Sequence, residues 1–194
     1  MFVMRLFLSV IILIFSLQSW TKADDIRDFE IQGMSVGDSL LDYYSADEIY
    51  ENIDQNVYKN KDGKFTLTGF YGKFGEYDGL QFAIKPNDKN LIIYGINGGI
   101  FFSNIDECNI KRKSIRKELS LLFKGATTNF DDKIIHSADS TGKSYVISDS
   151  FFLKSGSASV KCFNWSDEIT EKYGWSDNLR VGVKLKEYND WLDW

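Results

Sequence analysis

One histidine stands in the 194-residue chain, His136, and three carboxylates lie near it in sequence at Asp131, Asp132 and Asp139. An imidazole beside carboxylates is the residue set of a general base or a metal ligand. A closed zinc site wants four ligands, and no second histidine or stable thiolate joins this one, so neither a metal nor a cofactor is expected. Carboxylates are too plentiful here for the sequence to single out a hydrolytic pair. Ser155-Gly156-Ser157-Ala158-Ser159 lacks the G-x-S-x-G spacing of a nucleophile elbow. Thr141-Gly142-Lys143-Ser144 ends like a phosphate-binding loop, yet that pattern needs glycine where Ser137 stands and a helix afterwards. A strand is expected to follow, so the segment reads as a hairpin turn. Asn60-Lys61-Asp62-Gly63 has the look of a calcium loop, but Tyr58 and Gly69 occupy its first and twelfth ligand positions, and it too reads as a turn. No residue is assigned a catalytic role.

Two other groupings remain. Four of the five tryptophans, Trp165, Trp175, Trp191 and Trp194, fall in the last 30 residues, joined by Tyr173 and Tyr188. Aromatics with a polar edge are favoured at recognition surfaces, which makes these six the candidate binding residues. The competing reading is that this region folds back over a sheet as core. Cys108 and Cys162 are the two cysteines. In an oxidising compartment an even pair is expected to form a disulfide, with a reactive thiol or a metal ligand as the alternative.

The compartment follows from the N-terminus. Arg5 supplies positive charge, Leu6 to Leu17 is almost wholly apolar, and Thr21-Lys22-Ala23 gives a cleavage site, so residues 1–23 read as a signal peptide. The apolar run is short for a spanning helix, which needs about 20 residues. No cysteine for lipidation sits near the cleavage point, and no later segment is long and apolar enough to insert stably in a membrane. The expected location is periplasmic or secreted. The whole chain carries a net charge of −5, and losing Arg5 and Lys22 with the leader brings it to −7. Such a surface repels phosphate backbones, so nucleic acid is not expected as a partner. The one dense basic run, Lys111-Arg112-Lys113 with Arg116 and Lys117, reads as the solvated face of a helix.

The elements that must position these residues belong to a globular chain: 43% hydrophobic, 26% charged and a single proline exclude disordered and collagen-like classes. Asp25 to Ile31 is a short strand or a lead-in. Ser35 and then the Ser45-x-x-Glu48 capping box open one broken helix or two short ones over 35–53. Alternation marks strands at 65–70 and 80–84, followed by a glycine-interrupted run at 91–102. A helix over 104–124, capped at Ser103, carries Ile105, Cys108, Ile115, Leu119 and Leu122 on one stripe. Strands then follow at 144–154, 157–165 and 178–185. The fold class is therefore α+β: residues 24–194 form a single domain with an antiparallel sheet of about six strands and two main helices on one face. The order suggests two helix-plus-three-strand halves. An eight-stranded membrane barrel fits the length but leaves no place for the 104–124 helix.

Residues 24–49, DDIRDFEIQGMSVGDSLLDYYSADEI, with SLQSWTKA before them and LRVGVKLKEYNDWLDW at the end, resemble small secreted proteins of marine alphaproteobacteria that carry no assigned activity. That resemblance implies export and transfers no functional residue. Gly33-Met34-Ser35 with Leu40 and Leu41 is also similar to the helix start of small lipoproteins of outer-membrane assembly, without their lipidated cysteine. The functional expectation is an exported protein that binds rather than catalyses, an interaction module of the cell envelope with a protein, peptide or glycan partner. The alternatives are an envelope hydrolase using His136 and nearby carboxylates, and a structural envelope component.

Overall fold

The computed structural model describes residues 25–54 and 62–192. The leader, Asn60 and Lys61 of the expected turn, and Trp194 lie outside the described residues. After a single 3-10 turn at Ile26–Asp28, Gln32 and Gly33 adopt positive φ (55° and 74°) and fold β1 (Glu30–Ile31) onto β2 (Met34–Ser35). The helix expected to open at Ser35 is therefore corrected to a strand. Gly37 turns the chain again at φ 101°, and the Asp38 carboxylate accepts from the Ser35 N–H instead of joining a helical cap. Helix is limited here to a 3-10 turn at Leu40–Asp42 and to α1 (Ala46–Glu51). α1 begins where its capping box stands: Ser45 accepts from the Glu48 N–H, and the Glu48 carboxylate accepts from the Ser45 N–H.

Three strands follow as a meander, β3 (Thr66–Phe74), β4 (Tyr77–Ile84) and β5 (Gly95–Phe101). The long helix α2 (Ile105–Leu122) is capped by Asn104, one residue later than expected, because the Asn104 side chain accepts from two backbone N–H groups of the first turn. Beyond it lie β6 (Thr127–Ile135), β7 (Tyr145–Phe152) and β8 (Gly156–Asn164), then α3 (Asp167–Tyr173), β9 (Asn178–Leu185) and α4 (Lys186–Leu192). Among the described residues one antiparallel sheet has the order β3-β4-β5-β9-β8-β7-β6. The two meanders meet where β5 pairs with β9.

The sheet thus has seven strands rather than six. The additional one, β6, is an edge strand exposed along almost its whole length, so its sequence carries no buried alternation to reveal it. A bulge at Asp131, whose φ is 56°, interrupts its pairing with β7. α3 and α4 are also additional. α3 is held by a Ser166 cap and stopped by left-handed Gly174, and α4 runs directly out of β9.

The side chains of Leu80, Phe82, Ile84, Ile96, Val181 and Val183 form the main core together with Ile49, Leu40 and the inner stripe of α2. Ile49 of α1 and the inner stripe of α2 pack on this one face, where two main helices were expected, although the first of these is reduced to the six residues of α1. Each large apolar side chain fully buried there contributes about 1.5–3 kcal/mol. The inner stripe of α2 is Cys108, Arg112, Ile115 and Leu119, so Arg112 faces the core and is not part of a solvated face. Cys108 is joined to Cys162 of β8 by a disulfide. Arg112, 2% exposed, pairs with the fully buried Asp149 of β7, and its second amino group donates to Asp131 at 2.8 Å. α4 covers part of the opposite face, where Tyr188 and Trp191 pack with Phe65, Leu67 and Ala83.

Candidate functional site

Because side chains alternate across a pleated sheet, the residues between the core positions form a second surface. One row of it reads Gly69, Gln81, Asn97, Gly182, Ser159, Ser150 and Asn129 across the seven strands. The adjacent row reads Tyr71, Gly79, Gly99, Arg180, Lys161, Ser148 and Asp132. Every position in the first row is small or polar. Helix α4 covers the Ala83–Gly95 end of this face, and the segment from Trp165 to Asn178 rises at the other end. Between them lies an open pocket of ≈ 490 Å³.

Its floor is backbone and short side chains. At Gly99 an added Cβ would approach only the Gly79 carbonyl, at 4.0 Å, and at Gly69 only the Leu80 carbonyl, at 3.8 Å. Close packing therefore does not demand glycine at either place, and their effect is to leave the floor flat and open. Gly182 is different: a Cβ there would stand 2.2 Å from Asn97 Oδ1, so its absence makes room for the Asn97 carboxamide. Gln81 and Asn97 are paired across β4 and β5, and both line the pocket.

The walls are aromatic. Trp165 and Trp175 pack at 4.7 Å, Tyr173 stacks on Trp175 at 4.9 Å, and Phe163 stacks on Trp165 at 5.7 Å. Trp175 and Phe101 remain exposed on the rim, and Tyr71 on β3 is 88% exposed. Trp165 is buried, and its Nε1–H has no acceptor among the described residues. An orphan donor of this kind costs about 1–3 kcal/mol.

His136 sits in this wall, its ring 4.6 Å from Trp165 and 6.2 Å from Trp175. Its Nδ1 accepts from the Ala138 N–H, so in the neutral ring the proton is on Nε2. Burial lowers its pKa, and the Arg180 charge lowers it further against a smaller opposing pull from Asp139. The three carboxylates near it in sequence are occupied or turned elsewhere. Asp131 bonds Arg112 and Arg116, and Asp132 meets the Asn129 carboxamide. Asp139 is buried among Thr141, Ser144 and Ser166, accepting from the Ser144 hydroxyl at 2.6 Å and the Ser166 hydroxyl at 2.9 Å. Those bonds, from Ser144 first and then Thr141, hold the Asp139 carboxyl far below the usual range. No hydrogen bond between the imidazole and any of these carboxylates occurs among the described residues. The same residues contain no group of three His, Cys, Asp or Glu placed to hold a metal ion. Thr141-Gly142-Lys143-Ser144 leads into β7, as a hairpin connection does.

Arg180 is the principal charge in the pocket. It reaches Asn178 Oδ1 through Nε at 3.1 Å, and its guanidinium lies 4.6 Å from the Phe163 ring. Although solvent reaches it, the surrounding walls strip part of its hydration and pull its pKa down. Asp78, the one carboxylate among the described residues of the lining, is held by the Lys73 ammonium and accepts from the Phe101 N–H at 2.9 Å.

The six aromatic residues singled out from the sequence are thus divided. Trp165 and Trp175 line the pocket and Tyr173 supports Trp175, whereas Tyr188 and Trp191 are buried in the second core cluster. Trp191 Nε1 donates to Asp62 at 2.8 Å, and Trp194 lies outside the described residues. Tyr71, Phe101, Phe163, Gln81, Asn97 and Arg180 were not singled out. The same alternation that marks Leu80 and Phe82 as core places Gln81 on the outer face, so the face was readable and the convergence was not. Comparison with family models, with curated proteins and with solved structures finds no match to this chain.

Proposed function

We propose that this chain is an exported, non-catalytic binding protein whose pocket on the outer sheet face takes a ring-bearing ligand. The observation that carries this reading is the pocket of ≈ 490 Å³, with exposed Tyr71, Phe101 and Trp175 standing around a flat floor of glycine, glutamine and asparagine. Its volume falls in the range of small-molecule sites, about 300–1,000 Å³. Flat aromatic faces stack on rings, and neighbouring carboxamides both donate and accept, the combination that holds a polyhydroxylated ring. The sequence signal for export and the Cys108–Cys162 disulfide support a location outside the cytoplasm. No helix among the described residues is long and apolar enough to cross a membrane.

The test is a tryptophan-fluorescence titration of the chain without its leader against a panel of oligosaccharides, repeated with Tyr71→Ala and Trp175→Ala. Each variant should lose at least ten-fold in affinity. The change at Tyr71, 88% exposed, should do so with the melting temperature nearly unchanged, whereas that at Trp175, packed on Trp165 and Tyr173, should also lose some stability while remaining folded. A ligand that binds both variants as tightly as the parent would refute the pocket as its site.

A further inference from the structure

We infer that the ligand of this pocket is anionic, a sugar ring bearing a carboxylate such as a uronic acid unit of an acidic glycan, recognised by Arg180 with Lys161 beside it. The inference rests on the binding reading above and adds the charge of the ligand. Arg180 and Lys161 are direct cross-strand neighbours of β9 and β8 on the outer face. Like charges directly opposite each other destabilise a sheet. Elsewhere in this acidic chain many cations are paired, as Lys85 is with Glu187, Lys111 with Glu76, Lys143 with Glu168 and Arg116 with Asp131. For Arg180 and Lys161 no carboxylate lies within 4 Å among the described residues. The one opposing charge acting on Lys161 is that of Asp132, from a distance, and Asp78 in the pocket is already neutralised by Lys73. Two cations are therefore held side by side, Arg180 in the lining of the pocket and Lys161 next to it on β8 outside that lining, and their surroundings partly dehydrate both of them.

An anion placed here gains most from a planar guanidinium, whose fork matches a carboxylate. His136 adds a donor, because its Nδ1 is already taken by the Ala138 N–H. Gln81 and Asn97 remain for ring hydroxyls, and Trp175 and Tyr71 for the apolar face of the ring. A neutral sugar would use the aromatic walls and leave the cation pair unanswered.

The experiment titrates the chain without its leader with oligogalacturonate, oligomannuronate and hyaluronan hexasaccharide. Neutral galacto-oligosaccharide, mannohexaose and chitohexaose run beside them, with inorganic phosphate as an anion that has no ring. The expected result is that at least one acidic oligomer binds ten-fold or more tighter than its neutral counterpart. That preference should fall at least ten-fold in Arg180→Gln, fall less in Lys161→Gln, and weaken between 50 and 500 mM NaCl. Arg180→Lys should keep part of the preference, and it covers the case in which the glutamine variant fails to fold. Neutral oligomers binding as tightly as acidic ones, with no change in Arg180→Gln, would overturn the charge inference and leave the binding reading standing. Phosphate binding at Arg180 without any saccharide would overturn the sugar assignment. Binding by no member of the panel would overturn the binding reading and the charge inference together.

Discussion

Replacing Arg112 by methionine should be among the most damaging single changes in this protein, although its sequence neighbours are surface lysines. Arg112 is 2% exposed and Asp149 fully buried on the helix-facing side of β7. Besides their mutual ion pair, Arg112 donates to Asp131 at 2.8 Å and to Asn109 at 3.2 Å. At about 4 Å and an effective dielectric near 20, one such charge pair is worth about 4 kcal/mol, against a desolvation cost of similar size. The methionine variant keeps that cost for Asp149 and removes its partner. What remains to Asp149 is the Asp131 N–H at 2.8 Å and Arg116 at 3.5 Å. The expected loss is about 3–5 kcal/mol, more than a hundred-fold in the folding equilibrium. Asp149→Leu alone leaves Arg112 one carboxylate, Asp131, and should cost less. The double variant removes both charges and should recover at least about 2 kcal/mol of the Arg112→Met loss, less what the orphaned Asp131 N–H costs. Urea unfolding of all four proteins, followed by tryptophan fluorescence, gives the cycle. A loss below about 1 kcal/mol for Arg112→Met, or a double variant no better than the sum of the singles, would refute the coupled buried pair. Both residues lie beneath the sheet, so ligand affinity in the outer pocket should be unaffected in any variant that folds.

Trp191→Ala should cost about 3–5 kcal/mol and lower the melting temperature by roughly 10 °C, since its ring packs against Phe65 and Tyr188 in the second core cluster, while the pocket keeps its affinity. Reducing the Cys108–Cys162 bridge opens a span of 54 residues, and the chain-entropy relation gives a loss of about 4 kcal/mol, measurable by urea unfolding with and without reductant. Gly99→Ala should fold normally, because its Cβ meets only the Gly79 carbonyl at 4.0 Å, yet it should weaken ligand binding by raising the pocket floor. Acid should destabilise the fold through two aspartates. Arg112 and Arg116 hold the Asp131 carboxyl down to about 2, and the hydroxyls around Asp139 hold that one lower still, against an ordinary value of 3.8. Both folded values are depressed, so the stabilisation is complete above the unfolded pKa and is lost as pH falls from about 4 towards and below 2. Melting temperature followed from pH 6 to pH 2 should decline most steeply in that window, and Asp139→Asn should flatten the decline.

Sequence alone determined what local chemistry controls. The Ser45-x-x-Glu48 box started a helix where it stood, because a cap is settled within four residues. Alternation located the strands at 65–70, 80–84 and 178–185, because a half-buried strand must alternate, while the run at 91–102 was marked by its apolar character and its glycines. The 3.6-residue stripe put Cys108 on the inner face of α2, and the export signal made a bridge to Cys162 the expectation over a reactive thiol or a metal ligand; the fold brings the two together. Position 112 completes the same stripe between Cys108 and Ile115, so the pattern was there to be read; arginine disguised it, because its type argues for solvent. β6 left no such trace, since an edge strand exposed on both faces has no hydrophobic period. The aromatic C-terminal residues could be counted but not sorted. Whether a tryptophan is core or pocket wall depends on which strand end α3 and α4 pack against, and only the tertiary structure decides that. The pocket itself is assembled by register: Gln81 and Asn97 come from the consecutive strands β4 and β5, Arg180 from the distant β9, and hydrogen bonding across the three sets them on one face.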